Sequence, residues 1–210
     1  MDVNTATLTD QDGSEEITGY LVSGVPTGAN LNIGSNNGNL LQFLRPHFKK
    51  VLGVDPAKNI AEIANEKGIE TIVDFFSDEV ADYILEKFGE FQVGIARHMF
   101  AHNSNPKALI QAMSKSLSKE GTFIIENAYA IDTFKNGEFD QIYHEHMFYY
   151  SLSNMNFLLQ EFDFEVSDIL FSRVHGGSAV FICNRTGKQL ISDTVTKTLS
   201  NELAYFNKKI

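Results

Sequence analysis

Tyr143-His144-Glu145-His146 gathers a phenol, two imidazoles and a carboxylate, the side chains needed to take a proton from carbon and stabilise the charge that develops. An imidazole that is neutral near physiological pH can accept that proton. A neighbouring carboxylate can orient the ring and favour its charged form. Taken alone, the tetrapeptide also fits a capped surface loop. A second concentration lies at Gly34-Ser35-Asn36-Asn37-Gly38. Glycines there allow close backbone approach to a ligand, and the N-terminus of a following helix would supply free N–H donors. Asp55 lies roughly 20 residues beyond Gly34, the spacing at which an acid ending a second strand accepts hydrogen bonds from ribose hydroxyls. The pattern favours an adenosine-containing ligand, and a turn that only joins strand to helix is the alternative.

Elements that would position these groups follow from the apolar rhythm. Short apolar runs at 29–33, 51–54, 71–73, 91–96 and 122–125 alternate with amphipathic stretches, as in parallel strands joined by crossover helices. The expected class is α/β. The first run ends in the Gly/Asn turn, and Leu40, Leu41, Phe43, Leu44 and Phe48 then follow at helical spacing. Residues 127–150 break the rhythm with a polar, aromatic-rich segment that holds Tyr143–His146, before a helix near 153–161. Runs at 164–171 and 178–183 read as a closing hairpin around His175-Gly176-Gly177, and a last amphipathic helix carries Ile191, Val195, Leu199, Leu203 and Phe206. Residues 1–19 read as a polar stub and 20–210 as one domain.

Composition narrows the partners. The chain has 210 residues, with 17 Lys and Arg against 27 Asp and Glu, a net charge of −10 that opposes sequence-independent binding to nucleic acid or an anionic membrane. A single cysteine, Cys183, excludes an internal disulfide and a Cys-based zinc site. It lies in an apolar run and reads as a small buried hydrophobe. His98 and His102, or His144 and His146, could share one face, but no third metal ligand stands at a fixed offset, so His98 and His102 read as pocket wall and helix cap. The N-terminus has neither a basic nor an apolar segment of a secretory signal, and no apolar run is long enough to cross a bilayer; the expected location is cytoplasmic.

The turn lacks the last glycine of G-x-G-x-x-G, which disfavours a nicotinamide oxidoreductase. It fits the outer glycines of G-x-G-x-G, with Asn36 in the middle provided its φ is positive. Five ordered stretches then act together: Ile33-Gly34-Ser35-Asn36-Asn37-Gly38-Asn39-Leu40-Leu41, Gly53-Val54-Asp55-Pro56, Asp74-Phe75-Phe76, Tyr143-His144-Glu145-His146 and His175-Gly176-Gly177-Ser178. Over about residues 29–184 the chain resembles the S-adenosylmethionine-dependent sugar C-methyltransferases.

That resemblance implies a class I methyltransferase fold: a Rossmann-like three-layer sandwich with a mostly parallel seven-stranded sheet and an antiparallel edge hairpin. It implies S-adenosylmethionine as cofactor, with Gly34, Ser35, Asn36 and Gly38 along the methionine part, Asp55 at the ribose, and Asp74 with Phe75 at the adenine. Arg97 and His98 would flank the sulfonium. As residue types, two phenylalanines after a strand are more often core. The acceptor would be a small molecule, a nucleotide-linked keto-sugar methylated beside its ketone. His146 would be the base, Glu145 would partner it or share that role, and Tyr143 would donate to the oxyanion or help position the sugar.

The chain departs from the family at Asn32 and Asn37, where relatives usually carry acids, at the pair Arg97-His98, typically neutral, and at Val180, commonly Arg. Set against the family, the chain reads as lacking the N-terminal zinc module and the C-terminal domain, which would leave it to use a smaller acceptor, borrow a partner subunit or be inactive. A catalytically silent nucleotide- or partner-binding module with the same fold is the second reading.

Overall fold

A computed structural model describes residues 28–173 and 176–207. The expected stub at 1–19 and the side chain of His175 lie outside the described residues. One seven-stranded sheet runs through the molecule in the order β3-β2-β1-β4-β5-β7-β6. Its strands are β1 (Ala29–Ile33), β2 (Lys50–Val54), β3 (Thr71–Ile72), β4 (Phe91–Arg97), β5 (Leu117–Ala128), β6 (Phe164–Ser172) and β7 (Ser178–Arg185). The first five are parallel, and β7 runs antiparallel to both β5 and β6. The strand order therefore reverses beside β1, where an open α/β sheet forms a crevice at its carboxyl end.

Helices α1 (Asn39–Leu44), α2 (Lys58–Glu66), α3 (Asp78–Phe88), α4 (Pro106–Ser116), α5 (Ala130–Asn136), α6 (Leu152–Gln160) and α7 (Asp193–Asn207) cover the sheet. Alternation along the strands builds two cores. Leu31, Ile33, Phe123, Ile125 and Phe181 face a larger cluster with Ile84, Ile110 and Met113. Val93, Ile95, Ile124, Val180 and Ile182 face a smaller one with Leu40, Leu41, Leu44 and Ala64. Cys183 is buried in the larger cluster, and burial pushes its thiol well above the ordinary range, so it packs as a hydrophobe. No helix among the described residues is long and apolar enough to cross a membrane.

Boundaries follow local chemistry. Ser77 caps α3, accepting from the Val80 N–H, and Gly89 at φ 75° ends it. β5 extends well beyond the expected 122–125, through a polar start that meets β4 across a register shift between Phe91 and Val93. Within 127–150, expected to be irregular, α5 forms and ends at Gly137 in the left-handed region.

A buried carboxylate fixes where that segment ends. Glu202 of α7, only 2% exposed, accepts from the N–H groups of Leu152 (2.7 Å) and Ser153 (2.9 Å), the unpaired donors at the start of α6, and from the Tyr129 hydroxyl (2.5 Å). Burial, aided by that carboxylate, raises the Tyr129 pKa far above its ordinary value and keeps the hydroxyl a donor. Ser151 and Asn154 complete the same helix start as a capping box. Glu202→Ala strands three donors at once and should lower unfolding free energy by about 3–5 kcal/mol in a urea titration, with Glu202→Gln losing less.

Candidate active site

Two cavities meet at the carboxyl end of the sheet. The larger, about 530 Å³, lies over the β1 turn and is walled by Gly34, Asn36, Asp55, Asp74, Phe75 and Arg97 among others. The smaller, about 270 Å³, is bounded by Asn127, Gln141, Tyr143, His146 and Phe148. His98 and His102 line both. These two residues form the wall that the cavities share.

The turn that floors the larger cavity is held by Asp55. Its Oδ2 accepts from the Asn36 N–H at 2.8 Å and its Oδ1 from the Ala57 N–H at 2.9 Å. Asn36 takes φ 52°, the positive value its place in the motif requires. Gly34 has φ 64°, and a β-carbon there would stand 2.9 Å from the Met99 side chain, so only glycine keeps this approach open. The helix N-terminus departs from expectation. Asn36 Oδ1 accepts from the adjacent Asn37 N–H (2.7 Å) and Asn37 Oδ1 accepts from the Asn39 N–H (3.3 Å) in an Asx turn, so asparagine side chains occupy donors expected to face a ligand. α1 is only six residues long and is capped by Gly38 without a side-chain bond.

Phe75 overturns the core reading of the paired phenylalanines: it is 75% exposed and walls the cavity, whereas Phe76 packs against the larger core. An exposed ring beside Asp74 is a ready stacking face, kept there because Asp74 Oδ1 accepts from the Phe75 N–H at 2.7 Å. Beneath the mouth, Asn32 and Ser35 are buried, with Asn32 Oδ1 and Ser35 Oγ lacking hydrogen-bond partners among the described residues. Neither residue is among those that line the two cavities.

Across the smaller cavity, residues 143–146 form a turn closed by the His146 N–H on the Tyr143 carbonyl (3.0 Å). A turn brings its first and fourth residues side by side and thrusts its middle two outward. The Tyr143 and His146 rings lie 4.2 Å apart, and the Tyr143 hydroxyl is 3.0 Å from His146 Nε2. His146 Nδ1 lies 2.8 Å from the Gln141 carbonyl. A carbonyl only accepts, so Nδ1 carries the proton, and Nε2 of the neutral ring is the lone-pair side to which Tyr143 donates.

Glu145 corrects the expected pairing. Its carboxylate sits on the exposed corner, 3.7 Å from His144 Nε2, and the partner orienting His146 is the Gln141 carbonyl. The Glu145 carbonyl instead accepts from His102 Nδ1 at 3.0 Å. His102, read from sequence as wall and cap, also lies against His146 with ring centres 4.9 Å apart and the rings inclined at 48°, and the Met147 N–H donates to the Ala101 carbonyl, tying this loop to the turn that follows β4. Among the described residues no group of three His, Cys, Asp or Glu side chains is placed to hold a metal ion.

Sequence reasoning also missed Glu126 and Asn127. Glu126 is fully buried at the end of β5; its Oε2 accepts from Arg97 Nε at 2.5 Å and its Oε1 lies 3.3 Å from His98 Nε2. Its signal was a charge closing the apolar run Phe123-Ile124-Ile125. Asn127 is buried against the smaller cavity, its amide unpartnered among the described residues.

Comparison with known proteins agrees with this geometry. A family model described as a methyltransferase domain matches residues 24–169. The chain is 34% identical over 173 residues to the C-methyltransferase NovU of Streptomyces niveus, a match covering 82% of this chain and 41% of that protein. The chain thus spans less than half the length of this relative. Among solved structures, magnesium protoporphyrin IX methyltransferase of Synechocystis with bound SAH superposes at TM-score 0.61 with 12% identity, covering 82% of this chain and 81% of that one. The YcgJ protein of Bacillus subtilis superposes at 0.59 with 14% identity, covering 83% and 98%. With a matching model over most of its length and a seven-stranded sheet of the class I order, the chain belongs to the methyltransferase-domain family, whose cofactor is S-adenosylmethionine.

Proposed function

We propose that the chain transfers a methyl group from S-adenosylmethionine to carbon, acting on a keto-sugar nucleotide through a base-generated enolate. One observation carries the reading: His146, its tautomer set by the Gln141 carbonyl, presents Nε2 and Tyr143 to a cavity that shares His98 and His102 with the cofactor cavity. The likeness to a C-methyltransferase supports carbon as the methylated atom.

The larger cavity falls within the size range of small-molecule sites. Asp55 would hold the ribose, Phe75 and Asp74 the adenine, and Gly34, Ser35, Asn36 and Gly38 the methionine part, with Arg97 and His98 at the sulfonium. When bound, S-adenosylmethionine supplies an electrophilic methyl group on a sulfur that leaves as a neutral thioether.

The residues act on the acceptor. His146 Nε2 takes the α-proton of the ketone as the C–H electron pair moves toward the carbonyl oxygen. The Tyr143 O–H, in the resting site a donor to Nε2, turns to the enolate oxygen, and its own oxygen then accepts from the newly protonated Nε2–H. This gives Tyr143 both roles, orienting the base and stabilising the oxyanion. The enolate carbon attacks the methyl between His98 and His102, aligned by the shared wall. Phe139, Ile142 and Met147 stand exposed in the same segment, in keeping with a further segment or partner subunit over the acceptor.

The test is incubation with S-adenosylmethionine and a panel of nucleotide-linked keto-sugars, read by mass spectrometry. Gain of one methyl on carbon, with loss of the α-deuterium from a labelled acceptor, is the expected result. Transfer to oxygen or nitrogen alone would exclude the enolate route.

A further inference from the structure

Arg97 puts a fixed positive charge in the wall of a cavity read as holding a cationic sulfonium. It immediately precedes His98, which with His102 forms the boundary between the two cavities. A methyl group delivered from one cavity to the other has to start beside that boundary, so the sulfonium and the guanidinium are neighbours. Unscreened, two like charges this close in a partly buried site repel strongly. Glu126 stands behind them. Its carboxylate is fully buried, accepts from Arg97 Nε at 2.5 Å, and has its other oxygen 3.3 Å from His98 Nε2, while the Arg97 side chain is 12% exposed.

The backbone also serves this contact. The Glu126 carbonyl accepts from the His98 N–H at 2.8 Å and holds His98 at φ 48°, a left-handed conformation uncommon for a side-chain-bearing residue. Both ends of Glu126 therefore fix the segment that carries the charge.

We infer that Glu126 is a specificity-determining residue of the cofactor site: by neutralising Arg97 it permits binding of the sulfonium cation, and so sets the balance between S-adenosylmethionine and its uncharged-sulfur product S-adenosylhomocysteine. The inference rests on reading the larger cavity as the S-adenosylmethionine site. Glu126 touches neither ligand in this account and acts through Arg97 and His98. Because donor and product differ by one methyl and one positive charge, a field at the sulfur separates them, whereas general loosening of the site weakens both alike.

The experiment is calorimetric titration of the full chain with S-adenosylmethionine and, separately, S-adenosylhomocysteine, for the parent, Glu126→Gln, Arg97→Met and the double variant. The parent should bind both. Glu126→Gln should lower the affinity ratio of donor to product at least about tenfold, equivalent to about 1.4 kcal/mol, with product binding serving as the check on folding. The double variant, with both charges gone, should restore the ratio, and Arg97→Met should move it in favour of the donor. Equal weakening of both ligands by Glu126→Gln, or a ratio that the double variant does not restore, overturns the inference while leaving the cofactor site standing. Should Glu126→Gln fail to fold, an unchanged ratio in Arg97→Met overturns it as well. A parent that binds neither ligand overturns the cofactor reading, and this inference with it.

Discussion

His146→Ala should cut methyl transfer by about a hundred- to ten-thousand-fold while leaving the affinity for S-adenosylmethionine unchanged. The separation of effects follows from the two cavities. His146 borders only the smaller one, and its hydrogen-bond partners are the Gln141 carbonyl and the Tyr143 hydroxyl, neither of which touches the β1 turn; its neighbour on the larger cavity is the His102 ring, held independently by the Glu145 carbonyl. Removing the ring deletes the proton acceptor without disturbing Asp55, Asn36 or Phe75. Two companions sharpen the result. Tyr143→Phe should lose part of the rate, because the oxyanion donor goes while the base stays. Glu145→Gln should lose less than Tyr143→Phe, because the Glu145 carboxylate faces His144 on the exposed corner of the turn. The checks are single-turnover transfer for the rate and calorimetry for the cofactor. Loss of cofactor affinity in His146→Ala equal to its loss of rate would place the imidazole in the wrong cavity.

How much of this was legible in the sequence depends on what kind of atom does the work. The strand at 29–33 and the hairpin pair could be read because apolar side chains recur at strand spacing between Gly-bearing turns, as Ala29, Leu31 and Ile33 do before Gly34. The early part of β5 could not, since Ser118, Lys119 and Glu120 look like loop and have no partner on β4, lying in the irregularity between the Phe91–Leu117 and Val93–Thr122 pairs. In the candidate site, Tyr143 and His146 can be singled out from sequence because the chemistry proposed for them lies in their side chains. Gln141 cannot, because it contributes a backbone carbonyl, which any residue could supply. Glu145 was paired with His146 on adjacency alone, and a four-residue turn sends neighbours to opposite sides. Phe75 divides the two kinds of reading: residue type alone assigns a phenylalanine to the core, whereas the resemblance puts it beside the adenine, and its exposed ring on the cavity wall fits the second.

Asp55→Ala should weaken S-adenosylmethionine by about a hundredfold, the cost of two hydrogen bonds to a charged acceptor, and leave the smaller cavity intact. Two causes combine. The carboxylate would no longer meet the ribose hydroxyls, and the N–H groups of Asn36 and Ala57 would lose the oxygens that close the turn and start α2. Asp55→Asn separates them. Its single carbonyl oxygen can keep one of the two backbone bonds, so the turn is half held, while the charge that strengthens the contact with ribose is gone. A large loss of affinity in Asp55→Asn, with a small change in melting temperature, would assign most of the effect to the ribose. A matching fall in both would assign it to the turn. The product should follow the donor in each variant, because the ribose is common to both, and this distinguishes Asp55 from Glu126, where donor and product part company. Equal cofactor affinity in Asp55→Ala and the parent would remove the ribose from this end of β2.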